Sequence, residues 1–576
     1  MKRPLQRILG ARWGWLLLLV LLAVINYLAS LSHFRLDLTK EKRYTLSSES
    51  RKLAGHLEDE LEIQVFLKGD FPAKFRKLTN SVSEFLQLLR EVDSRHIRIS
   101  FVDPAENIDG TRSSYGDTLV SMGATPINLM AQVKGGESSK LAFPYALVSY
   151  KGRQELVTLF SVPPISTNAQ APEKVLNEAE ALLEYQFAKA IDKVTSPRKA
   201  GIGYAVGNGE PVDQRTYDLR LSLQRDYELR IVDLQQASRV ADSVDLLMIV
   251  KPTLSFTEEE KFKLDQFVMR GGRLLCFIDA LIAEQDSLAI KPETIAYDRN
   301  LNLTDLLFKY GLRINTDLVM DLQCDFLPFD VNGNGQFELL PWNYFPVLQS
   351  SGSHPITKNI GFVCGRFVNS LDTVEADGIR KTILLESSGN ARTIGSPSLI
   401  SGRENATASE DARFTKRNIP VAVLLEGRFR SLYDNRISNA IRDTLLKNNI
   451  VFRSGGEKES KIIVVADGDI PLNNLVKGNE PIPMGMNPYT YGTQREYPFA
   501  NRNFTENCIE YMLDDAGLNE AKSKEHKTPL FNTARIREER SFWQYVNLLL
   551  PPALLLMYGF VFNIYRRRKY TKPAKA

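Results

Sequence analysis

Histidine is scarce in this sequence, with five residues in a chain of 576. None of them falls between residues 97 and 353, although the clearest strand–helix–strand pattern lies there. A Ser–His or Cys–His couple therefore cannot be assembled from that stretch alone, and a hydrolase would need His354 or His526. The sequence also lacks an HExxH motif and a G-x-x-x-x-G-K-[ST] loop, which excludes a zincin metal site and nucleotide hydrolysis through a P-loop.

Cysteine is equally rare and is widely spaced, at Cys276, Cys324, Cys364 and Cys508. The absence of a CxxC pair or a Cys/His cluster excludes the usual structural zinc sites. An exported protein can form disulfides, and Cys324–Cys364 is the predicted pair if one forms, although the sequence leaves the disulfide status open. Cys276 lies in an apolar strand and is predicted to be a buried, unpaired thiol.

Acidic residues are missing from both ends of the chain. Residues 1–12 carry four basic residues and residues 566–576 carry six, whereas the rest has 63 basic and 69 acidic residues. Each tail adjoins an uncharged segment, 13–31 or 543–564, that is long enough to cross a bilayer. Because basic flanks stay on the cytoplasmic side, the sequence predicts two transmembrane helices in the cell inner membrane, cytoplasmic termini and a large periplasmic body.

A buried core helix and a cleaved signal peptide are two other interpretations of these apolar segments. Buried core helices rarely run this long without a charge. A cleaved signal peptide is the alternative for the first segment, but its apolar run is longer than usual and no small-x-small site follows it. The ten basic residues of the tails exceed the formal net charge of +4. The predicted partner is therefore the lipid bilayer and not a nucleic acid.

Strand and helix signals alternate between the two apolar segments. We predict an N-terminal α/β domain over residues 32–196 and a second α/β domain with inserted loops over residues 197–535. In the second domain, near-continuous apolar strands joined by helices predict a mostly parallel, doubly wound sheet. The predicted strands are 201–206, 227–233, 244–250 and 273–279, with 461–466 as a later addition.

Local signals define the helix between the last two of the early strands. Thr257 and Glu260 form a capping box at its start, and Gly271 and Gly272 end it. The stretch 387–418 is rich in Gly, Ser, Asn and Thr and is predicted to be a long loop or insertion.

Polar residues follow the ends of these predicted parallel strands. Ligand sites in open parallel sheets gather outside the carboxyl ends of the strands. The sequence therefore predicts one rim that carries candidate binding residues: Asn208, Glu210, Lys251, Asp279 and Asp467. Such a rim suits a small molecule, a glycan or a docking protein. The alternative is ordinary turn chemistry, in which Gly, Pro and Asp simply end strands.

One segment has a pattern reminiscent of metal binding. Residues 330–335 resemble the opening of an EF-hand loop, whose twelfth position supplies a bidentate glutamate. The twelfth position here is Pro341, so we predict a polar turn and assign no metal ligand and no cofactor.

Several different short motifs occur along the chain in a characteristic order. They are residues 35–39 with 44–46, 101–104, 207–210, 244–252, 260–275 and 501–504. Their order between two terminal apolar segments resembles the gliding-motility GldG family, the auxiliary, substrate-binding-like exported subunits of a class of ABC transporters.

This resemblance implies a non-catalytic protein that works with a cytoplasmic ATPase subunit together with an ABC permease subunit. It also implies that the second domain is similar to a glutamine-amidotransferase-like fold, which an intraflagellar-transport protein shares. The nucleophilic cysteine of amidotransferases is not matched. Asn208 stands where the family often has histidine, so no catalytic residue carries over.

The resulting hypothesis is a membrane-anchored auxiliary subunit of a transporter associated with gliding motility or cell-envelope transport. The alternatives are a tethered periplasmic solute- or glycan-binding protein that uses the rim, and an amidotransferase-like hydrolase.

Overall fold

The computed structural model describes residues 19–24, 26, 45–69, 71–108, 113–133, 136–160, 173–285, 293–330, 335–352, 354–358, 360–401, 412–434, 436–437, 451–476, 479–514, 517–518 and 533–570. The chain divides into two compact units, residues 1–524 and residues 525–576.

The helices are α1 (Ser48–Gly55), α2 (Ala73–Val92), α3 (Tyr115–Ser121), α4 (Glu173–Thr195), α5 (Tyr217–Asp226), α6 (Glu258–Met269), α7 (Thr304–Tyr310), α8 (Asn501–Leu513) and α9 (Thr533–Tyr570). The strands as far as the middle of the chain are β1 (Leu61–Val65), β2 (Ile97–Phe101), β3 (Ile127–Val133), β4 (Gly136–Ala142), β5 (Tyr145–Tyr150), β6 (Arg153–Thr158), β7 (Gly201–Val206), β8 (Glu228–Asp233), β9 (Leu246–Val250), β10 (Arg273–Phe277), β11 (Leu281–Ile282) and β12 (Glu293–Asp298). The later strands are β13 (Leu312–Ile314), β14 (Asp317–Asp321), β15 (Cys324–Phe329), β16 (Glu338–Ser350), β17 (Val363–Cys364), β18 (Leu371–Thr373), β19 (Ile379–Glu386), β20 (Ala391–Gly395), β21 (Ser398–Ser401), β22 (Pro420–Gly427), β23 (Ser460–Val465), β24 (Leu475–Val476) and β25 (Glu480–Pro481).

A four-stranded sheet organises the N-terminal part of the first unit. Its strand order is β2-β1-β5-β6, with β1 parallel to β2 and antiparallel to β5. Helix α2 places Leu78, Val82 and Leu86 at four-residue spacing, which lines up an apolar stripe on one face. That stripe joins Leu183 and Phe187 of α4 in one hydrophobic core with the sheet.

A ten-stranded sheet organises the rest of the first unit. Along its main path the order is β15-β16-β19-β22-β23-β10-β9-β7-β8, and β17 pairs with β16. Strands β8, β7, β9, β10 and β23 are mutually parallel. The prediction that the strand near residues 461–466 joins this sheet is confirmed. The prediction of a mostly parallel sheet is wrong for the other half, because β22, β19, β16 and β15 are antiparallel to their neighbours.

Both faces of the parallel half are covered, which explains why its central strands are apolar along their whole length. All five residues of β9 are buried. On one face, Phe262 and Phe267 of α6 pack in the same core as Cys276. On the other face, the core combines Phe277 with Leu219 of α5 and Phe504 of α8. The doubly wound arrangement is therefore confirmed for this half of the sheet.

The segment predicted as a long loop contains regular structure. Strands β20 and β21 lie within residues 387–418 and pair antiparallel with β14 and β12. Turn-type residues dominated the composition of this segment, but cross-strand pairing with distant strands overrode that local preference. Residues 402–411, the middle of the same segment, lie outside the described residues.

The predicted Cys324–Cys364 disulfide is not formed, and all four cysteines are free thiols. Val347 N donates to Gln323 O, whereas Pro346 O accepts from Gly365 N. These two groups belong to one trans peptide and point to opposite sides, so β15 and β17 flank opposite edges of β16. Two strand spacings amount to roughly 9–10 Å, beyond the ~7 Å Cα–Cα limit for a disulfide.

The second unit contains one long helix, α9, with Pro551 and Pro552 in its interior. Among the described residues, Glu539–Arg568 is the one helix with the length and composition to cross a membrane, and its apolar 18-residue window has a mean hydropathy of 1.7. It includes the predicted span 543–564. Of the predicted span 13–31, only residues 19–24 and 26 are described, as exposed helix, and the rest lies outside the described residues.

Polar contacts link α4, which precedes the predicted domain boundary at residue 196, to α8 and to the end of α5, which follow it. Tyr185 and Lys189 of α4 both bind Glu510 of α8, the tyrosine hydroxyl at 2.6 Å. Lys193 forms a 2.8 Å ion pair with Asp226. The division into domains 32–196 and 197–535 stays a prediction.

One buried carboxylate fastens the helical layer to the sheet. Asp265 of α6 is fully buried and accepts hydrogen bonds from Tyr310 Oη at 3.0 Å, Ser431 Oγ at 2.6 Å and Leu432 N at 2.9 Å. Gln266 Nε2 donates a further bond at 3.0 Å. The carboxylate thereby connects α6, α7 and the segment that follows β22.

We predict that Asp265→Ala destabilises the first unit by about 3 kcal/mol, because it leaves several buried donors without an acceptor. The measurement is thermal and urea unfolding of the full chain in detergent. Asp377→Ala is the matched control, since Asp377 is exposed and has no hydrogen-bond partner among the described residues. Equal stability of the two variants would contradict the role assigned to Asp265.

Candidate functional site

The strand registers bring the predicted rim residues to one edge of the large sheet. Val250 lies opposite Phe277, and Phe277 lies opposite Val465. Lys251, Asp279 and Asp467 follow these strand ends directly, so three neighbouring strands deliver charged side chains to the same edge.

Lys251 is the centre of this group. Its Nζ lies 2.7 Å from Asp469 Oδ2, 3.2 Å from Glu284 Oε2 and 3.4 Å from Asp279 Oδ2. The lysine side chain is 6% exposed, so protein carboxylates rather than water molecules stabilise its charge. We call Lys251, Asp279, Glu284, Asp467 and Asp469 the strand-end cluster.

Backbone amides bond further carboxylate oxygens of Asp279 and Asp467. Asp279 Oδ1 accepts from Gly468 N at 2.5 Å. Asp467 accepts from Asp469 N and from Arg366 N, both at 2.7 Å. The cluster is thus a network of ion pairs and hydrogen bonds, which is the arrangement that buried charges require.

Burial and charge set the protonation of this network. Burial opposes the charge on Lys251, but Asp469, Asp279 and Glu284 outweigh it and raise the pKa of the lysine. Burial also opposes ionisation of Asp469, yet Lys251 and Arg366 hold its pKa below the usual value. Burial raises the pKa of Asp467 well above its usual range, and the neighbouring Asp469 and Asp279 add to this effect. Lys251 and Asp469 therefore form the charged pair, and Asp467 is the carboxyl that resists ionisation.

The backbone is adapted to this contact at two positions. Lys251 has a φ of 46°, a left-handed conformation that is uncommon for residues other than glycine. A Cβ at Gly468 would lie 2.7 Å from Lys251 Cβ, so only glycine fits beside the lysine.

Three carboxylates in this group have the spacing of cation ligands. One oxygen each from Asp279, Asp467 and Asp469 lies within 4.8 Å of the others. The ammonium group of Lys251 bonds two of these three aspartates, so the lysine itself supplies the positive charge that a metal would bring.

Asn208 and Glu210 form a separate part of the rim. Asn208 N donates to Glu210 Oε2 at 2.8 Å, and Asn208 Nδ2 donates to Glu260 Oε2 at 3.1 Å. Asn208 O accepts from Thr253 N and Leu254 N, both at 2.8 Å, which fastens this loop to the chain after β9.

Two atoms of this loop are buried without a hydrogen-bond partner among the described residues, namely Asn208 Oδ1 and Glu210 Oε1. Burial raises the pKa of Glu210 to about 7. A protonated Glu210 is therefore compatible with its surroundings near neutral pH, whereas the ionised form lacks sufficient donors.

A small polar cavity adjoins the strand-end cluster through Asp469. Its polar lining includes Asp325, Cys364, Arg366, Asn474, Asn487 and Asn501. It offers about 20 Å³ to the centres of water-sized molecules, which is room for one or two waters. In this conformation it does not accommodate a solute of ordinary size.

Cys364 contributes the thiol of this cavity, and its environment disfavours nucleophilic chemistry. Burial raises the pKa of Cys364 well above its usual value, and Asp325, 3.7 Å from the sulfur, adds to the effect. The thiolate is the nucleophilic form of cysteine, so a thiol that stays protonated is a poor nucleophile.

His354, one of the two histidines that a hydrolase would need, lies toward the opposite end of the parallel strands from the strand-end cluster. Its ring meets the ring of Tyr511 edge-on, with centroids 4.7 Å apart, and Tyr511 contacts Lys461 near the start of β23. Asp467 is six residues further along, or roughly 20 Å of extended strand. His526 lies outside the described residues.

The polar turn predicted at residues 330–335 is partly visible. Asp330 Oδ2 accepts from Gly335 N at 3.1 Å, a turn-type hydrogen bond. Residues 331–334 lie outside the described residues.

Sequence reasoning missed three residues of this edge. Asp469 belongs to the same strand-end motif as Asp467, so its acidic character was the available signal. Arg366 and Glu284 arrive from short segments next to β17 and β11, which carry no periodicity that would reveal them. Whether Asn208, Glu210, Lys251, Asp279 and Asp467 bind anything stays a prediction.

The family model described as "ABC-type uncharacterized transport system" matches residues 199–508 of this chain, more than half its length. A domain of unknown function matches residues 40–149. An uncharacterized protein of Borreliella burgdorferi is 19% identical over 555 residues, covering 94% of this chain and 95% of that protein.

Two solved structures are also similar in part. The mmIFT52 N-terminal domain is 14% identical with a TM-score of 0.31, covering 54% of this chain and 96% of that chain. A Thermoplasma acidophilum protein described as a GMP synthase component is 12% identical with a TM-score of 0.20, covering 36% of this chain and 84% of that chain. These scores are too low to define a fold relationship, and the amidotransferase-like fold stays a prediction.

We predict that Lys251→Ala strongly destabilises the first unit at pH 7, by about 3–5 kcal/mol, because buried carboxylates lose their counter-charge. Lowering the pH to 5 should restore part of this stability, since protonation removes the uncompensated charge. The measurement is thermal unfolding across pH. Lys263→Ala is the control, because Lys263 is also buried but donates to Leu234 O and pairs with the half-exposed Glu259. A similar recovery in the control would contradict this account.

We predict that Glu210→Gln weakens the pH dependence of stability. The folded pKa of about 7 lies above the ordinary value of 4.5, so the folded state keeps a proton that the unfolded state loses. Glu210 therefore makes stability fall as pH rises from about 4.5 to about 7, by ~1–3 kcal/mol. Unfolding from pH 5 to pH 8 measures this, with the half-exposed Glu228→Gln as control. An unchanged slope in the Glu210 variant would contradict it.

Proposed function

Because this chain belongs to the family described as an ABC-type uncharacterized transport system, we propose that it is a non-catalytic auxiliary subunit, anchored in the cell inner membrane, of an ABC-type transporter complex. The family supports a role associated with transport. The absence of a P-loop in the sequence supports a division of labour in which another subunit hydrolyses ATP.

The observation that carries the non-catalytic part of the proposal is the closure of the strand-end cluster. In open α/β sheets this edge is where ligands and catalytic groups gather. Here Lys251 fills it and bonds Asp279, Glu284 and Asp469. The internal ion pairs at this edge stabilise the sheet and engage Lys251 and Asp469 with each other, which supports a structural role for these two residues.

Membrane anchoring is supported by α9, which combines spanning length with an uncharged apolar segment. Basic residues follow that segment directly, at Arg566, Arg567 and Arg568. We propose a second span at residues 13–31, both termini in the cytoplasm and the main body in the periplasm, since basic flanks favour the cytoplasmic side.

The partners in this proposal are a cytoplasmic ATPase subunit together with an ABC permease subunit. The proposed complex is associated with gliding motility or cell-envelope transport. The alternative function is a tethered periplasmic solute- or glycan-binding protein. It would require the strand-end cluster to open, because the adjoining cavity has room for only one or two waters.

We predict that the full chain, purified gently from native membranes, brings a permease and an ATPase with it. The measurement is affinity purification followed by identification of the copurifying polypeptides. Another protein with a single apolar anchor, expressed at the same level, is the control for non-specific capture. Repeated absence of both transporter subunits would contradict the proposed function.

Reporter fusions test the proposed topology. A reporter that is active only in the periplasm should be inactive at residue 576 and active when inserted at Asp377, an exposed turn residue. Periplasmic activity at residue 576 would overturn this topology.

A further inference from the structure

Helix α4 holds the segment through which the chain enters its folded body. Ser47, which caps the N-terminus of α1, donates its backbone N–H to Glu184 Oε1 of α4 at 2.6 Å. Leu46 and Ala54 are buried in the same hydrophobic core as Leu183 of α4. A polar contact and an apolar contact therefore fix residues 46–54 against one stretch of α4.

The segment through which the chain leaves this body is held by the same stretch of α4. Tyr185 Oη donates to Glu510 Oε2 of α8 at 2.6 Å, and Lys189 pairs with the same carboxylate. Leu518, the last described residue of the first unit, is buried and forms a small apolar cluster with Tyr185 and Ala188. The entrance and the exit of the body thus share one helix.

The entrance and the exit also contact each other directly. A Cβ at Gly517 would lie 3.4 Å from Glu49 Cγ of α1. Leu53 of α1 packs against the apolar cluster that contains Leu518. Gly517 has a φ of 74°, which glycine adopts without steric cost, so the backbone approaches α1 closely here. We call these contacts of α1, α4 and residues 510–518 the terminal clasp.

Helix α8 connects the terminal clasp to the large sheet. Phe504 of α8 is buried in the core on one face of that sheet. Lys461 Nζ of β23 donates to Tyr511 O at 2.9 Å, and Tyr511 Oη donates to Glu426 Oε1 of β22 at 2.8 Å. Because α4 also packs in the core of the N-terminal sheet, the clasp joins both sheets at the point where the chain enters and leaves them.

We propose that the terminal clasp makes both connections to the membrane leave the body at one place and keeps them together during transport. The inference rests on the proposed function, since it takes residues 13–31 and α9 as the two spans. The connecting residues 32–44 and 519–532 then start side by side. The body is attached at a single base, whereas ends on opposite sides of the body would attach it at two separate points.

Disulfide formation in native membranes tests the clasp. Paired cysteines need Cβ atoms about 3.5–4.5 Å apart, so the Glu49→Cys, Gly517→Cys pair is within reach. A protease site inserted at Asp377 makes the link visible, because the cleaved chain then stays in one piece until it is reduced. Glu49→Cys with Gly492→Cys is the matched control. Gly492 has the same φ of 74°, but a Cβ there would meet no atom within 4 Å.

We expect the clasp pair to form its disulfide at least about tenfold faster than the control pair, which lacks the required proximity. Equal rates overturn the proposal. A product of twice the 65.1 kDa chain before protease cleavage also overturns it, because the contact would then lie between two chains.

Two substitutions in the clasp-pair background provide an independent measurement. Glu510→Ala removes the acceptor that Tyr185 and Lys189 share, so we expect the disulfide rate to fall at least about 3-fold. Glu506→Ala on the same helix is the control, since Glu506 pairs with Arg502 four residues earlier. Leu518→Ala lies outside every strand and helix and gives the same readout without disturbing α8. Unchanged rates in both clasp variants would contradict the clasp.

Locking the clasp shows whether the ends separate during assembly and transport. The oxidised Glu49→Cys, Gly517→Cys chain should retain the permease and the ATPase at the wild-type yield. A loss on oxidation that reduction reverses would show that the ends must separate, and it overturns the proposal. If the wild-type chain captures neither subunit, the proposed function fails, whereas the disulfide rates still decide whether the clasp exists.

Discussion

Lys251 places a positive charge beside the ends of three neighbouring parallel strands, and we expect the large sheet to depend on that charge. Lys251 follows β9, Asp279 follows β10, and Asp467 and Asp469 follow β23. Strand β23 enters the sheet almost 200 residues after its neighbour β10. Without Lys251, two carboxylates of distant origin would face each other at low dielectric, and their repulsion would oppose the pairing of β10 with β23. The ion pair therefore stabilises a long-range topology as well as a local turn.

The charges of the strand-end cluster are compensated largely within the cluster itself. The amide of Arg366 bonds one oxygen of Asp467, and the ammonium of Lys251 bonds one oxygen of Asp469. The left-handed backbone at Lys251 and the close approach of Gly468 constrain the positions of these groups. At this edge the described charged groups therefore contribute to the stability of the first unit.

The sequence was most informative where hydrophobic periodicity and end signals agreed. Strand β7 and the capping box of Thr257 and Glu260 in α6 were predicted with their observed bounds, because buried parallel strands and helix caps are local patterns. The rim followed from strand ends. The antiparallel half of the sheet, including the 13-residue β16, was missed because its register depends on distant partners. Arg366 was missed for the same reason, and the Cys324–Cys364 disulfide failed because spacing along the chain does not reveal an intervening strand.

Polar groups removed from water need partners, and the two units meet this requirement differently. In the first unit, buried polar groups such as Asp265 and Lys251 find partners within the chain. In α9, Pro551 and Pro552 lie inside a segment that is apolar enough for lipid, and neither proline donates a backbone hydrogen bond. Membrane-spanning helices tolerate such prolines because neighbouring helices, side-chain hydroxyls, ordered water or local changes of helix geometry satisfy the freed carbonyls. The proline pair is therefore compatible with a membrane span, and α9 keeps its helical path through it.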